Sequence, residues 1–255
     1  MKKTFITLLA LAGVAMGETY TPLTEDSWTH SAQRSARPAW AQNTTDGTLV
    51  LTNSNWSQAY STYDFAENLE GPLSFALTVN RTSGNCYFSI AQVGSAGAVV
   101  IGTNEYGDGS MYAGTTTTIG STAYTLNRSW EGDTVEDVTI TSTNVKGDHF
   151  ADSVFNTDAT STISGTTYVN AEGKTVLTLK AEGDKMSASV TKDIVLWEGF
   201  TLDKIVISGD GPNDHKGIWT VSNLSVTGTP SVPEPATATL GLLALAGLCV
   251  RRRRA

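Results

Sequence analysis

The chain has 255 residues, of which 17 are basic and 25 acidic, and its formal net charge is −8. The charge is uneven: without Lys2, Lys3, Glu234 and the four arginines near the C-terminus, 11 basic residues face 24 acidic ones, a net charge of −13. A body this acidic repels nucleic acid and anionic lipid, so we expect neither as its partner.

Residues 1–17 have the parts of a signal peptide. Two lysines precede an apolar run at 5–16, and the small residues Ala15 and Gly17 have the spacing that signal peptidase requires. We therefore predict that signal peptidase cleaves after Gly17 and that the rest of the chain is exported.

Between residues 18 and 229 the sequence alternates between apolar and polar residues with a period of two. Leu73, Phe75, Leu77 and Val79 alternate with small or polar residues, which predicts a strand with one buried face. Short alternating runs separated by Gly-rich turns are typical of a β-sandwich. We predict one all-β domain over 18–229 with two packed sheets. The other predicted strands are 49–51, 87–93, 98–102, 135–141, 175–180, 185–191, 202–208 and 218–226.

The last third of this region supports two finer predictions. Residues 174–191 indicate a hairpin that reverses at Glu182-Gly183-Asp184. Residues 217–228 indicate a long closing strand, and a shift in its apolar phase near Ser222-Asn223 predicts a β-bulge. Together with residues 200–211, these segments resemble the C-terminal half of concanavalin-A-like and laminin-G-like jelly rolls. The resemblance implies a jelly-roll sandwich in which the last strand lies beside the first.

Two segments contain candidate sugar-binding residues. Trp56 and Tyr60 fall on one face of a strand, while Asn104, Tyr106 and Asp108 lie in a loop with three glycines. Flat aromatic rings stack on the C–H face of a pyranose, and amide or carboxylate groups hold its hydroxyls. These five residues are the predicted ligand-binding set, with a polysaccharide as the partner. The alternative role for the aromatic residues is packing in the core.

The segment Glu131 to Glu136 repeats a catalytic spacing. It reads Glu-Gly-Asp-Thr-Val-Glu and so resembles the Glu-x-Asp-x-x-Glu strand motif of laminarinase-type jelly-roll glucanases. In that family one carboxylate attacks the anomeric carbon and the other protonates the leaving oxygen. Here Gly132, Thr134 and Asp137 indicate an acidic turn instead of a continuous strand. We predict a protein without catalytic activity, and a glycoside hydrolase using Glu131 and Glu136 is the alternative.

Other residue types that carry chemistry give weaker signals. The sequence contains no Gly-x-Ser-x-Gly elbow, no His-Glu-x-x-His helix and no phosphate-binding glycine loop. His30, His149 and His215 are far apart in polar contexts and are predicted to lie on the surface. Cys86 is predicted to be a structural thiol. Two tryptophans flanked by apolar residues are assigned to the core: Trp197 and Trp219.

We expect no cofactor and no metal. Calcium is the alternative, because carboxylates and carbonyls in Gly-rich turns can surround a hard cation. The candidate ligands are Asp108 in one loop and Asp210, Asn213 and Asp214 in another. Asp and Asn also form turns without any metal, and neither loop has the spacing of a known calcium motif.

Residues 230–255 combine three features in a fixed order. Pro233-Glu234-Pro235 comes first, and an apolar stretch without charge covers 236–250. As a helix this stretch would be about 22 Å long, shorter than a ~30 Å hydrocarbon core. A cluster of four arginines follows, which would stay on the cytoplasmic side of the membrane. The cluster consists of Arg251, Arg252, Arg253 and Arg254.

This order of features resembles the PEP-CTERM sorting signal. The resemblance implies a precursor held in the membrane by a transmembrane helix, cleavage near Pro233 to Pro235 by exosortase, and delivery to the cell surface or the extracellular matrix. A permanent C-terminal membrane anchor is the alternative. The sequence thus predicts an exported, non-catalytic surface or matrix protein.

Overall fold

A computed structural model describes residues 17–32, 40–53, 59–83, 87–104, 109–120, 122–128, 134–135, 138–139, 142–210 and 217–231. These residues form strands, turns and one short 3-10 helix, Pro22–Thr24. The strands are β1 (Glu18–Tyr20), β2 (Thr29–Ala32), β3 (Trp40–Asn43), β4 (Thr48–Asn53), β5 (Ala59–Ser83), β6 (Tyr87–Gly94), β7 (Gly97–Gly102), β8 (Met111–Thr116), β9 (Tyr124–Leu126), β10 (Thr134–Val135), β11 (Val138–Thr139), β12 (Thr143–Val145), β13 (Gly147–Ala151), β14 (Thr160–Val169), β15 (Thr175–Gly183), β16 (Val190–Val195), β17 (Leu202–Asp210) and β18 (Gly217–Pro230).

Fourteen of these strands belong to one hydrogen-bonded network that folds into two layers. The first layer has the order β13-β8-β7-β6-β17-β5-β2, using the first half of β5. The second layer has the order β16-β15-β14-β5-β18, using the second half of β5. Strands β1 and β4 both pair with the far edge of β18, and β3 pairs with β4.

Strand β5 joins the two layers because it bends in its middle. Its pairing with β17 ends at Leu69, and its pairing with β14 begins at Ser74. Between them Gly71 has a φ of 78°, which a residue with a Cβ rarely adopts. Pro72 follows and has no N–H to donate to a neighbouring strand. The Gly-Pro pair therefore provides the corner at which the strand changes layer.

The hydrophobic core lies between the layers. The predicted apolar face of Leu73, Phe75, Leu77 and Val79 is confirmed, since each of these side chains is buried in it. Across the core, the ring of Phe88 in the first layer stacks on Trp219 in the second, with 4.9 Å between ring centroids. This contact establishes face-to-face packing, and the all-β architecture agrees with the predicted jelly-roll sandwich.

The two tryptophans assigned to the core have different environments. Trp219 is fully buried at the centre. Trp197 is half-buried and packs against the margin of the core, where its ring meets Phe200. The assignment is therefore confirmed for Trp219 and holds for only part of the Trp197 ring.

The closing strand is confirmed together with its irregularity. β18 runs through the predicted segment, and its register with β5 shifts between Ser222 and Ser225. Asn223 lies in this shift with a φ of 52°, which is the left-handed conformation of a bulge residue. The predicted neighbourhood of the first and last strands is also present, because Glu18 of β1 pairs with Gly228 of β18.

The predicted hairpin at 174–191 needs a correction. β15 does not end at Glu182 but continues to Gly183, where it still pairs with Ser161 of β14. The backbone N–H and the carboxylate of Asp184 then bond to Thr160, which keeps the chain beside β14 for one more residue. The reversal follows, so β16 begins at Val190 and not at 185.

The predicted strand at 135–141 is wrong, and eight strands of the structure were not predicted: β1, β2, β3, β8, β9, β12, β13 and β14. β10 and β11 are two residues each and pair with one another in a separate sheet, as far as the described residues show. Among these unpredicted strands, β14 shows the reason most clearly. Its buried face carries Ser161 and Thr167, which bond to the backbone of Val154 and Leu73. Buried polar residues that are satisfied in this way remove the apolar alternation by which a strand is recognised.

Within the described ranges, no helix is long and apolar enough to span a membrane. The predicted signal peptide up to residue 16 and the predicted sorting helix at 236–250 lie outside those ranges.

Candidate functional site

The outer face of the first layer is covered by a part of the chain that we call the cover segment, residues 122–128 and 142–147. It contains β9 and β12, which pair in parallel. The backbone of Tyr124 ties the cover segment to the sheet below. Its carbonyl accepts hydrogen bonds from the hydroxyls of Tyr87 and Ser89 at 2.7 and 2.6 Å, and its N–H donates to Ser208 at 3.3 Å.

A second apolar cluster lies under the cover segment. Its members come from both the sheet and the cover segment, and all are buried: Ala91, Val93, Ala98, Val100, Tyr124, Leu126, Val145 and Val206. The outer face of this layer is therefore a second core over much of its area. The near-continuous burial of β6 and β7 explains why their sequences, YFSIAQVG and GAVVIG, are apolar or small at almost every position.

The structure describes two of the five predicted sugar-binding residues, Tyr60 and Asn104. Tyr60 is half-buried and packs against the second apolar cluster. Asn104 is half-buried near the end of β7. Trp56, Tyr106 and Asp108 lie outside the described residues, so their grouping stays a prediction.

The environment of the candidate catalytic pair is known only through its neighbours. Glu131 and Glu136 lie outside the described residues. Thr134 pairs with Thr139 and Val135 pairs with Val138 in an antiparallel register, so the chain reverses between Val135 and Val138. These four residues form a two-stranded sheet that is separate from the main network.

A small polar cluster surrounds Asp152 on the surface. One carboxylate oxygen lies 2.9 Å from Nε2 of His149 and accepts a hydrogen bond from the Ser110 hydroxyl at 3.1 Å. These two hydrogen bonds, that of His149 first, lower the pKa of Asp152. The serine bonds to the aspartate and not to the histidine, so the imidazole is not placed to take the hydroxyl proton. The arrangement is not a nucleophilic triad.

The structure describes two of the three histidines and none of the side chains of the candidate calcium ligands. His30 is exposed, as predicted, and its Nδ1 lies 2.6 Å from the Ser61 hydroxyl. His149 is also exposed, as predicted. Among the residues with described positions, no cluster of three histidine, cysteine or acidic side chains could hold a metal. The remaining candidates lie outside the description: His215, Cys86, Asn213, Asp214 and the side chain of Asp210.

A groove opens where the edge strands of the two layers approach each other, β13 in the first and β16 in the second. Its volume is about 420 Å³, and both charged and apolar residues line it. Lys192 reaches across it, donating to the carbonyl of His149 at 3.0 Å, and its ammonium lies 5.3 Å from the centre of the Phe150 ring. No sequence pattern indicates this groove, because the two residues that meet across it are 43 positions apart in the chain.

The first and last described residues of the chain lie at the C-terminal end of β18. Gly17 is exposed and lies next to Thr227 of β18. After β18 ends at Pro230, the N–H of Ser231 donates to the carbonyl of Asn68 at 2.7 Å. The described part of the chain thus ends directly after β18, a strand that is paired on both sides. The other predicted processing residues lie outside the described residues: Pro233, Glu234, Pro235, Arg251, Arg252, Arg253 and Arg254.

Comparison with known proteins identifies the C-terminal segment. Residues 231–254 match the family model of the PEP-CTERM protein-sorting motif. The match covers the Pro-Glu-Pro triplet and the whole arginine cluster, including Arg252 and Arg253. It confirms the sorting signal read from the sequence and marks the chain as an exported protein sorted by exosortase. No curated protein sequence matches the chain.

Solved structures resemble the body in fold. The chain is similar to the apo Crh5 transglycosylase with a TM-score of 0.50 and 8% identity, over 86% of each chain. It aligns with the CBM2 module of the evolved Dit of Lactobacillus casei BL23 phage J-1 at a TM-score of 0.47 and 11% identity, over 86% of this chain and 99% of that one. The Bacillus licheniformis β-glucanase gives 0.45 and 9%, over 84% and 99%. At these identities the likeness to the transglycosylase speaks for the fold and not for an activity.

Proposed function

We propose that this chain is a surface or matrix protein whose β-sandwich has no catalytic activity and is displayed outside the cell after exosortase removes its tail. The observation that carries the non-catalytic part is the reversal of the chain between Val135 and Val138. The export part follows from the sorting motif at 231–254.

The reversal argues against the hydrolase alternative on geometric grounds. Glycoside hydrolysis needs two carboxyl groups on one surface, about 5–5.5 Å apart for retention or 6.5–9.5 Å apart for inversion. In the glucanase motif that spacing comes from alternation along one strand of the main sheet. Here β10, which contains Thr134 and Val135 of the motif, pairs with β11 in a separate two-stranded sheet instead of running in the main sheet.

The arrangement of the two ends supports display from a membrane. Glu18, the first residue after the predicted signal-peptidase site, pairs with Gly228, three residues before the sorting motif begins. Both ends of the exported body therefore leave it at one place. A precursor held in the membrane by its tail would present the rest of the sandwich to the exterior.

Mass spectrometry of the mature protein from its native host tests the sorting proposal. We expect an N-terminus at Glu18 and a C-terminus between Val232 and Pro235. In a strain without active exosortase the tail should remain, and the protein should stay with the membrane fraction. Mature surface protein that retains Arg251 to Arg254 would contradict cleavage and support a permanent anchor.

An activity assay tests the non-catalytic proposal separately. The mature protein and its Glu131→Gln/Glu136→Gln double variant are incubated with laminarin, lichenan and xylan, and released reducing ends are measured. We expect no release by either protein. Release by the unmodified protein that the double variant lacks would establish the hydrolase alternative.

A further inference from the structure

The outer face of the second layer carries an exposed aromatic ring. Tyr168 is 46% exposed and lies on β14, and its hydroxyl donates to Oδ2 of Asp193 on β16 at 3.3 Å. Strand β15 lies between β14 and β16. Neighbouring strands are about 4.8 Å apart, so the ring must extend across β15 to reach that carboxylate. One face of the ring then lies on the sheet and the other faces solvent.

The burial of Val176, on the strand between the two hydrogen-bonded residues, agrees with a ring that lies along the sheet. Val176 of β15 is directly opposite Tyr168 and, on its other side, directly opposite Val195 of β16. Val176 is only 3% exposed although it is on the outer face, whereas Val195 is 56% exposed. Tyr168 and Val195 are the cross-strand neighbours placed to cover Val176, and the three residues together provide an apolar surface. We call Tyr168, Val176, Thr178, Asp193 and Val195 the Tyr168 platform.

The ring is fixed in place by a polar partner that is itself fixed. The other carboxylate oxygen of Asp193, Oδ1, accepts a hydrogen bond from the Thr178 hydroxyl at 2.7 Å. The carboxylate of Asp193 on β16 is thus hydrogen-bonded to side chains on both β14 and β15. A ring positioned before a ligand arrives loses little conformational entropy on binding.

Hydroxyl groups continue from the platform across the sheet. The strand registers place Asp193, Thr178, Thr166, Ser74 and Thr227 side by side in one row across five strands. Their side chains share the outer face, with an expected spacing of about 4.8 Å. Apart from Asp193 the row is uncharged. The Thr178 hydroxyl donates to Asp193 and the Thr227 hydroxyl lies 2.9 Å from that of Thr19, but a hydroxyl has two acceptor lone pairs, so each retains the capacity to accept a further hydrogen bond.

The platform also borders the edge groove. Asp193 and Val195 belong to both, since they line the groove between β13 and β16. An extended ligand that stacked on Tyr168 could follow the hydroxyl row in one direction or enter the groove in the other. The surface thus combines an aromatic face, hydroxyls in register and a bordering depression.

We infer that the Tyr168 platform and its hydroxyl row bind a neutral polysaccharide. The apolar face of the ring suits the C–H face of a pyranose, and the row suits its hydroxyls. Charge selects the class of polymer, because the carboxylate of Asp193 and a body with a net charge of −13 repel anionic chains. This inference rests on the proposed function, since a polysaccharide of the cell exterior is met only after export.

Affinity electrophoresis of the mature protein tests the inference. Native gels contain laminarin, hydroxyethyl cellulose or soluble xylan as neutral polymers, or alginate as the anionic comparison. We expect at least one neutral polymer to retard the protein, and alginate to have no effect. Tyr168→Ala should raise the apparent Kd about tenfold or more, because the stacking surface is removed.

Two further variants separate stacking from general surface effects. Tyr168→Phe keeps the ring but loses its bond to Asp193, so we expect an intermediate loss of about threefold. Ile119→Ala is the matched control, because Ile119 is another exposed apolar residue, 39% exposed, in the loop after β8. It should leave binding unchanged. Near-ultraviolet circular dichroism checks that each variant folds, and Asp193→Ala replaces Tyr168→Ala if that variant does not.

Several results would overturn the inference. The first is that none of the three neutral polymers retards the protein. The second is that alginate alone retards it, and the third is that the unmodified protein and Tyr168→Ala are retarded equally. None of these affects sorting, which the C-terminal mass tests independently. Conversely, retained arginines in the mature protein would contradict the proposed function and leave the gel result unchanged.

Discussion

The two layers of this sandwich are both β-sheets, but their outer faces differ in polarity and burial. Outward residues of the first layer, such as Ala91, Val100 and Val206, are apolar and buried beneath the cover segment. Outward residues at comparable positions in the second layer, such as Thr166 and Thr220, are hydroxylated and at least partly exposed. Whether apolar and polar residues alternate along a strand therefore depends on whether its outer face is covered. A strand that is covered on both faces is apolar throughout and loses the alternation.

Removing part of the cover should destabilise the protein most strongly. Leu126 is fully buried in the second apolar cluster. Leu126→Ala should reduce the free energy of unfolding by about 2–5 kcal/mol, because it leaves a cavity between the cover segment and the sheet. Chemical denaturation measures the change, with Ile119→Ala as a control expected to stay within about 0.5 kcal/mol. Equal midpoints for the two variants would show that the cover does not act as a core.

A reciprocal exchange tests whether the two outer faces differ in the way proposed. Val206→Thr places a hydroxyl in the second apolar cluster and should cost about 1–3 kcal/mol in unfolding free energy. Thr220→Val in the second layer should change it by no more than about 0.5 kcal/mol. The same denaturation midpoints measure both variants. Costs of similar size would remove the distinction between a covered and an open face.

The bulge of the second layer should respond more weakly to substitution. Asn223 has a φ of 52°, and its side-chain amide donates to the Thr78 hydroxyl at 3.3 Å on the open face. Asn223→Ala should cost about 1 kcal/mol, because alanine disfavours the left-handed conformation. Asn223→Gly should cost less, since glycine tolerates it. Thermal unfolding of the two variants gives the comparison, and a less stable glycine variant would mean that the hydrogen bond matters more than the backbone.

A change in ionisation on the open face should be the most subtle. Desolvation and then the negative charge and hydrogen bond of Asp193 raise the pKa of Tyr168 above its ordinary value. Asp193→Asn removes the charge, which favours the tyrosinate, so the pKa of Tyr168 should fall toward about 10. Ultraviolet titration of tyrosinate absorbance measures this, with Tyr168→Phe identifying the signal. An unchanged titration curve would mean that the ring does not lie against Asp193.

Several features were predictable because they depend on residues that are close in sequence. The buried face of Leu73 to Val79 follows from alternation, and the bulge at Asn223 from a shift in apolar phase. The hairpin boundary was misplaced because the pairing of Gly183 with Ser161 is a long-range contact. β14 was missed because its buried hydroxyls bond to distant backbone groups, which the sequence does not display.

Local properties of the chain were enough to establish an acidic, all-β body and the sorting motif at 231–254, because composition, alternation and the order of a short motif can all be read along one segment. Which sheet face is covered, where β5 turns from one layer to the other, and that Tyr168 meets Asp193 became known from the folded protein alone. These features depend on the order of the strands in the sheets. Strand order brings residues that are remote in sequence into contact, and no local sequence pattern shows which strands will pair.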